Sequence, residues 1–421
     1  MNKLIDFLNN SPSMYHAVSC LEETLKAAGY TCLSEGENWA LSAGGRYYLT
    51  RGGSSLIAFR VPDTQPKGFL FTAAHCDRPT FQLKENGELT GKYTRLATEK
   101  YGGMIMSTWM DRPLSVAGRV IVETETGVES KLLNIDKDLL LIPSVAIHMN
   151  RKVNEGVALN PAVDTLPLAG TEKVKVWQQI EEAAGGKILG HDLYLYLRET
   201  ARIWGAEDEF ISAQGLDDLL CVWGNTQGFL NATDSEDIPV LCVFDSEEVG
   251  SCSVQGAASQ LLASVTNRIC KALGQDADRM LANSFMLSGD NAHAVHPNHP
   301  EFADATNAPV LGGGIVLKFN AALRYVTTGL AAAVVRQACK KAAVPVQTYY
   351  NRADIAGGST LGSISLGNVS VPSADIGVPQ LAMHSVYETA AVADCLALTR
   401  AIAAYYSSTL RVNPDGSLEL V

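Results

Sequence analysis

Apolar runs of strand length recur along this 421-residue chain, and one after another they stop at histidines and carboxylates. GFLFTAAHCD (68–77), PVLCVFDSEEVGS (239–251) and NSFMLSGDNAHAV (283–295) are the plainest cases. A strand whose side chains are apolar throughout is buried on both faces, which calls for a sheet covered by helices on either side. Helical periodicity lies between and after these runs, at about 327–344 and from about 391 onward. The alternation is that of an α/β fold. In open sheets of this kind ligands bind in the crevice outside the strand ends, where residues far apart in sequence can meet.

The length exceeds the roughly 100–200 residues of one domain, so two domains are expected. The texture changes between about 86 and 204, where GKYTRLATEKYGGMIMSTWMDRPLSVAGRVIVETETG reads as strands and turns. A β-rich domain (86–204) is therefore expected as an insertion in a discontinuous catalytic domain (1–85 and 205–421). The N-terminal segment has helical spacing, with Ser13 as an N-cap and Gly29 as a stop, and the closing RVNPDGSLELV reads as a turn and a short tail. Hydrophobic residues make up 47% and charged residues 19%, the balance of a globular protein. A net charge of -12 argues against nucleic acid or an anionic membrane as a partner. The longest apolar stretch, GLAAAVVRQACKKAAVPV, is broken by charge before the ~20 residues a bilayer crossing needs. Nine scattered cysteines without a CxxC pair fit reduced thiols and a cytoplasmic setting. GGG at 312–314 precedes a strand instead of opening a helix, so it is not a phosphate loop.

Side chains alternate on an extended backbone, which puts His75 and Asp77 on one face and Cys76 on the other. That disfavours a Cys–His nucleophile pair and favours an imidazole held by a carboxylate, as metal-ligating histidines commonly are. Further polar clusters follow at GLDD (215–218), FDSEEVGS (244–251), SGDNAHAVHPN (288–298) and PQLAMHS (379–385). Each has a bland reading: a satisfied polar pair, an acidic helix start, surface histidines, a core histidine. Together, however, Asp77, Asp217, Glu247, Glu248 and Asp290 in one cleft would repel unless cations neutralised them. Histidines plus carboxylates in this number suit two zinc-like ions, each keeping a position open for water.

The series AAHCD, YGGMIMSTWMDRPLSVAGRV, GLDDL, FDSEEVGS, SGDNAHAVHPNHPE, VLKFNAALRY, GGSTLG and IGVPQLAMHS resembles the aspartyl aminopeptidase family of dizinc metallopeptidases, from about residue 10 to about 405. The resemblance implies that His75 and Asp290 bind one metal, Glu248 and His384 the other, and Asp217 bridges them. It makes Glu247 the general base for the attacking water, with Asp77 orienting His75. Lys318 would meet the acidic side chain of the substrate's first residue; its bland reading is an edge-strand lysine that discourages aggregation. His148, in the insertion, would reach a neighbouring subunit's active site and steady the oxyanion. His293 and His296 would line the cleft, and Gly358, Ser359 and Thr360 would cradle the substrate. The chain departs from the family in having Cys76 and Arg78 for Thr and Ser, Asp218 for Asn, and Ala356 and Gly357 for Pro-Cys. No ligand is lost, while Arg78 and Asp218 add charge near the site.

The expectation is thus an α/β, mixed-sheet dizinc peptidase domain carrying an inserted β-rich dimerisation domain. It would be a metal-dependent aminopeptidase that removes N-terminal Asp or Glu from peptides with a free N-terminus. Two divalent ions per subunit are implied, zinc first, with cobalt or manganese possible, in a homododecamer built from dimers. A dizinc aminopeptidase of broader specificity, or a related carboxypeptidase or deacylase, would keep the same ligands and recognise a different substrate group. A non-enzymatic scaffold would have shed a ligand or the base.

Overall fold

The computed structural model describes residues 1–421. Its largest sheet has nine strands, and the central four, Ile238–Phe244, Phe69–His75, Phe285–Gly289 and Ser373–Gly377, run parallel. On one side follow Ser55–Arg60, Arg46–Arg51 and Thr31–Cys32; on the other, Ile315–Phe319 and then Val346–Tyr350 at the edge. Every residue of Phe69–His75 is buried, and its side chains divide between two helical layers. Leu70 and Ala74 join the core formed with helices Met14–Ala27, Leu216–Asn231, Gly329–Lys341 and Val392–Tyr406. Phe71 and Ala73 pack against Leu261–Ala272 and Ala277–Ala282 on the opposite face. The all-apolar composition of the strand follows from this double burial.

A second sheet is antiparallel throughout, in the order Gly127–Asn134, Leu114–Thr124, Ile188–Leu197, Thr80–Leu89, Tyr93–Tyr101, Leu168–Thr171. It has its own core, in which Phe81, Trp109 and Leu193 pack with Val176 and Ile180 of helix Val176–Ala184. The sheet begins at Thr80, upstream of residue 86, where the composition changes. A third, five-stranded sheet joins Arg202–Trp204, Phe210–Ala213, Glu388–Ala391, Pro379–Leu381 and Ala292–His293.

Ser13 caps Met14–Ala27, its hydroxyl accepting from the His16 amide at 3.5 Å, and Gly29 ends that helix region at φ +81°. The closing segment is not a turn and a tail. Leu410–Val412 and Leu418–Leu420 pair antiparallel, and Leu410, Leu418 and Leu420 are buried against the main core. No helix is long and apolar enough to cross a membrane.

Candidate metal centre

The parallel strands end along one edge of the large sheet. Phe244 pairs in register with His75, so the turn carrying Glu247 and Glu248 leaves the sheet beside the histidine. Asp290 follows Phe285–Gly289 on the other flank of the same strand. Asp217 begins helix Leu216–Asn231 just after strand Phe210–Ala213, where the dihedrals of Asp217 and Asp218 are not helical and the peptide between them is cis. His384 follows Pro379–Leu381 of the small sheet. His75, Asp217, Glu247, Glu248, Asp290 and His384 line one cavity of about 470 Å³, together with Lys318, His293, Gly358, Ser359 and Thr360.

Donor atoms of His75, Asp217 and Glu248 lie within 4.8 Å of one another. The Asp217 carboxylate stands between two imidazoles: His75 Nε2 is 3.8 Å from its Oδ1, and His384 Nε2 is 3.4 Å from its Oδ2 and 3.3 Å from Glu248 Oε1. Each histidine uses its other nitrogen elsewhere. His75 Nδ1 lies 3.1 Å from the Asp77 main-chain carbonyl and 3.5 Å from the Asp77 carboxylate; His384 Nδ1 lies 2.7 Å from the Gly103 carbonyl. Such partners set the tautomer and leave Nε2 as the ligating atom. Asp217 Oδ1 and Glu248 Oε1 are buried without hydrogen-bond partners. Buried acceptors are rarely left so, and a divalent cation would satisfy both. The residues present fit such an ion.

The titration behaviour of the cavity gives the same answer. Burial pushes Glu247 up to about 7 against the pull of His75, with Asp290, Asp77 and Asp217 adding to the rise. Burial also carries Glu248 well above the carboxylate range. For His384 burial favours the neutral form, yet Asp217 and Glu248 outweigh it and push the imidazole up to about 10. His75 is likewise raised, Asp77, Asp218 and Glu247 overcoming burial. Asp217 is instead held low, its burial outweighed by His384 and His75, while the rise of both glutamates and both imidazoles marks a cavity short of positive charge.

Asp290 stands apart from this group. Its Oδ1 accepts from Lys318 Nζ at 2.7 Å, and the same ammonium donates to the Asn291 carbonyl at 3.2 Å and lies 5.0 Å from the Tyr325 ring centroid. The edge-strand reading of Lys318 is wrong: Ile315–Phe319 lies between two other strands, and Lys318 is only 2% exposed. His293 lines the main cavity and, with His296, an adjoining one of about 310 Å³. Thr360 donates to Asp375 at 2.8 Å, which leaves Gly358 and Ser359 freer on the wall. His148 is exposed in the segment after Ile142 and does not line its own chain's cavity. Cys76 points away, its thiol 3.2 Å from the Ser54 carbonyl and 3.4 Å from that of Phe244.

Residue type and spacing did not disclose three supports. Both oxygens of Asp77 are occupied by the amides of Glu247 and Glu248, at 3.1 Å each, and by the Tyr101 hydroxyl at 2.8 Å. Glu388, buried in the small sheet, accepts from the Asp217 amide at 3.1 Å and the His384 amide at 2.8 Å. Asp218 accepts from the His75 amide at 3.3 Å. Burial raises the Asp218 carboxyl well above the usual range despite His75, with Asp290 and Asp217 reinforcing.

A doubly covered mixed sheet with histidines and carboxylates converging at its strand ends defines a metal-dependent hydrolase. The family described as Aminopeptidase I zinc metalloprotease (M18) matches residues 7–406, and the chain belongs to it. The Clostridium novyi protein named "Probable M18 family aminopeptidase 2" is 42% identical over 411 residues, covering 93% of this chain and 95% of its own. A chain in a cryo-EM structure of the Ape4 and Nbr1 complex superposes with a TM-score of 0.93 at 32% identity, over 96% of this chain and 85% of that one. The mApe1 dodecamer of S. cerevisiae gives 0.85 at 26% identity, over 96% of this chain and 95% of that one. This chain is accordingly a metal-dependent aminopeptidase of the zinc metalloprotease type.

Proposed function

We propose that the enzyme removes N-terminal Asp or Glu from peptides, using a pair of divalent ions, zinc by preference. The observation that carries the pair is the Asp217 carboxylate with an imidazole nitrogen facing each of its oxygens. His75 and Asp290 would hold one ion, Glu248 and His384 the other, with Asp217 shared. When bound, the ions would polarise the scissile carbonyl and bring the pKa of water towards neutrality. Glu247, adjacent to a ligand and lifted to about 7 by burial, has the basicity to take a proton from water and return it to the leaving amine. Asp77 keeps His75 and the turn bearing Glu247 in place through the bonds described above.

Acidic specificity rests on Lys318, the buried cation on the cavity wall, and on the polar turn Gly358–Thr360 beside it. Its bond to Asp290 favours a second reading, a broader aminopeptidase in which the lysine serves the ligand instead of the substrate. The division into a catalytic domain (1–85 and 205–421) and an inserted dimerisation domain (86–204) is part of the proposal. The segment bearing His148 exposes Val145, Ile147 and Met149, the last 84% accessible, which supports self-association there and a dodecamer like that of mApe1. His148 would then complete a neighbour's site.

Metal analysis combined with peptides beginning with Asp, Glu, Ala or Leu tests the reading. Two ions per chain and a strong preference for the acidic pair are expected. Equal rates across the panel would sink the acidic specificity, and one ion per chain the dinuclear site. Full activity in isolated monomers would remove His148 from the mechanism.

A further inference from the structure

The motif YGGMIM, which no role above absorbs, runs directly between the two larger sheets. Tyr101 is the last residue of strand Tyr93–Tyr101 in the six-stranded sheet, and the chain then passes across the metal centre. Within five residues it touches three different parts of that centre. The Tyr101 hydroxyl donates to Asp77 Oδ2 at 2.8 Å, the carboxylate whose oxygens also receive the amides of Glu247 and Glu248. Gly102, at φ +75°, lies so close that a Cβ there would stand 3.1 Å from Glu248 Cβ. The Gly103 carbonyl accepts from His384 Nδ1 at 2.7 Å, and the Ile105 amide donates to the His384 carbonyl at 3.0 Å.

We propose that Tyr101–Ile105 is a strap that positions both imidazoles and the Glu247–Glu248 turn, so that metal affinity depends on how the six-stranded sheet sits against the catalytic sheet. This rests on the metal-site reading above. A hydrogen bond to the non-ligating side of a ligand fixes its direction and its basicity, and loss of such a partner commonly weakens metal binding about 10- to 100-fold. Tyr101 does this for the His75 side through Asp77, and Gly103 does it for His384 directly. Because both contacts come from one short segment, a shift of that sheet would move the two ligands together. Linkage then requires the reverse as well: a bound ion must hold the sheet in place. Gly102 is the residue of the strap least suited to a side chain, since its positive φ would strain one and a Cβ would press on Glu248 at 3.1 Å.

Tyr101→Phe removes only the hydroxyl and keeps the edge-on ring contact with Tyr194, whose centroid is 5.4 Å away. Zinc affinity of the full chain, measured by competition with a chromophoric chelator, is expected to fall about tenfold or more. The thermal midpoint of the metal-free protein should fall by no more than about 3 °C, because Asp77 keeps the amides of Glu247 and Glu248, and kcat should drop with KM little altered. Gly102→Ala should weaken zinc at least as much. A Tyr101→Phe protein that binds zinc like the wild type, or that loses only metal-free stability, overturns the strap while leaving the metal site standing. A wild-type chain that takes up no zinc overturns the metal-site reading and the strap with it.

Discussion

Replacing Lys318 with Met separates the lysine's two candidate roles. The ammonium is 2% exposed and 2.7 Å from Asp290 Oδ1. Burial works against its charge, and Asp290, Tyr325 and Asp375 outweigh burial to keep it protonated. Methionine fills a similar volume without the charge and leaves the Asp290 carboxylate without its partner. Breaking a buried pair in this way costs about 3–5 kcal/mol. With an unfolding entropy of about 2.1 cal/mol/K per residue, the 421-residue chain has roughly 0.9 kcal/mol/K, so the midpoint should fall by about 3–6 °C. That loss belongs to the chelated protein. If Asp290 is a ligand, an ion on it in zinc would take over the compensation, and the difference between variant and wild type should shrink to about a third or less. Differential scanning calorimetry with and without chelator reads both numbers. An equal drop in the two conditions would refute Asp290 as a ligand, and no drop in either would refute the cost assigned to the buried pair. Hydrolysis of Asp- and Ala-initiated peptides by the same variant decides whether Lys318 also sets specificity.

Glu247→Gln should lower kcat by about 10²–10⁴-fold with zinc content unchanged, because only the proton acceptor is lost. In the wild type the ionised Glu247 is the active form, so kcat/KM should rise with pH along an acid limb. That limb should lie below about 7, since bound cations depress a carboxyl that burial and the carboxylates around it otherwise hold there, and it should vanish in the Gln variant. Chelation should cost about 4 kcal/mol of stability relative to zinc at a thousandfold its dissociation constant; an unchanged midpoint would mean that the carboxylate cluster is satisfied without metal. Cys76→Ala should retain full turnover, because the thiol faces main-chain carbonyls on the far side of the strand; a large loss of kcat would return Cys76 to the chemistry.

The strand ends were legible because apolar runs stop abruptly where the sheet stops, and the chemistry of the residues found there is restrictive. The polar clusters holding His75, Asp217, Glu247, Glu248, Asp290 and His384 could be marked from such positions, the family resemblance then picked those residues out, and the cavity collects them. What stayed hidden depends on pairing across the sheet. Nothing adjacent to Lys318 in sequence says that Asp290 is its partner, because strand Ser373–Gly377, from much later in the chain, lies between their strands in the sheet. Glu388 reads as one more acid near a helix start until the small sheet turns it onto the amides of Asp217 and His384. Tyr101 sits in a stretch whose resemblance to the family was plain and whose purpose was not. The closing hairpin was missed because its two strands have three residues each, too short for periodicity to register, and only their burial reveals them.

Asp217, Asp290 and His384 all adjoin strands of the five-stranded sheet, which Glu388 further ties together from within. Ligands mounted on a common hydrogen-bonded bracket cannot retreat one at a time. An ion of unsuitable radius would have to shear the bracket as a whole, and mutations that loosen the bracket far from the cavity should broaden the range of ions accepted.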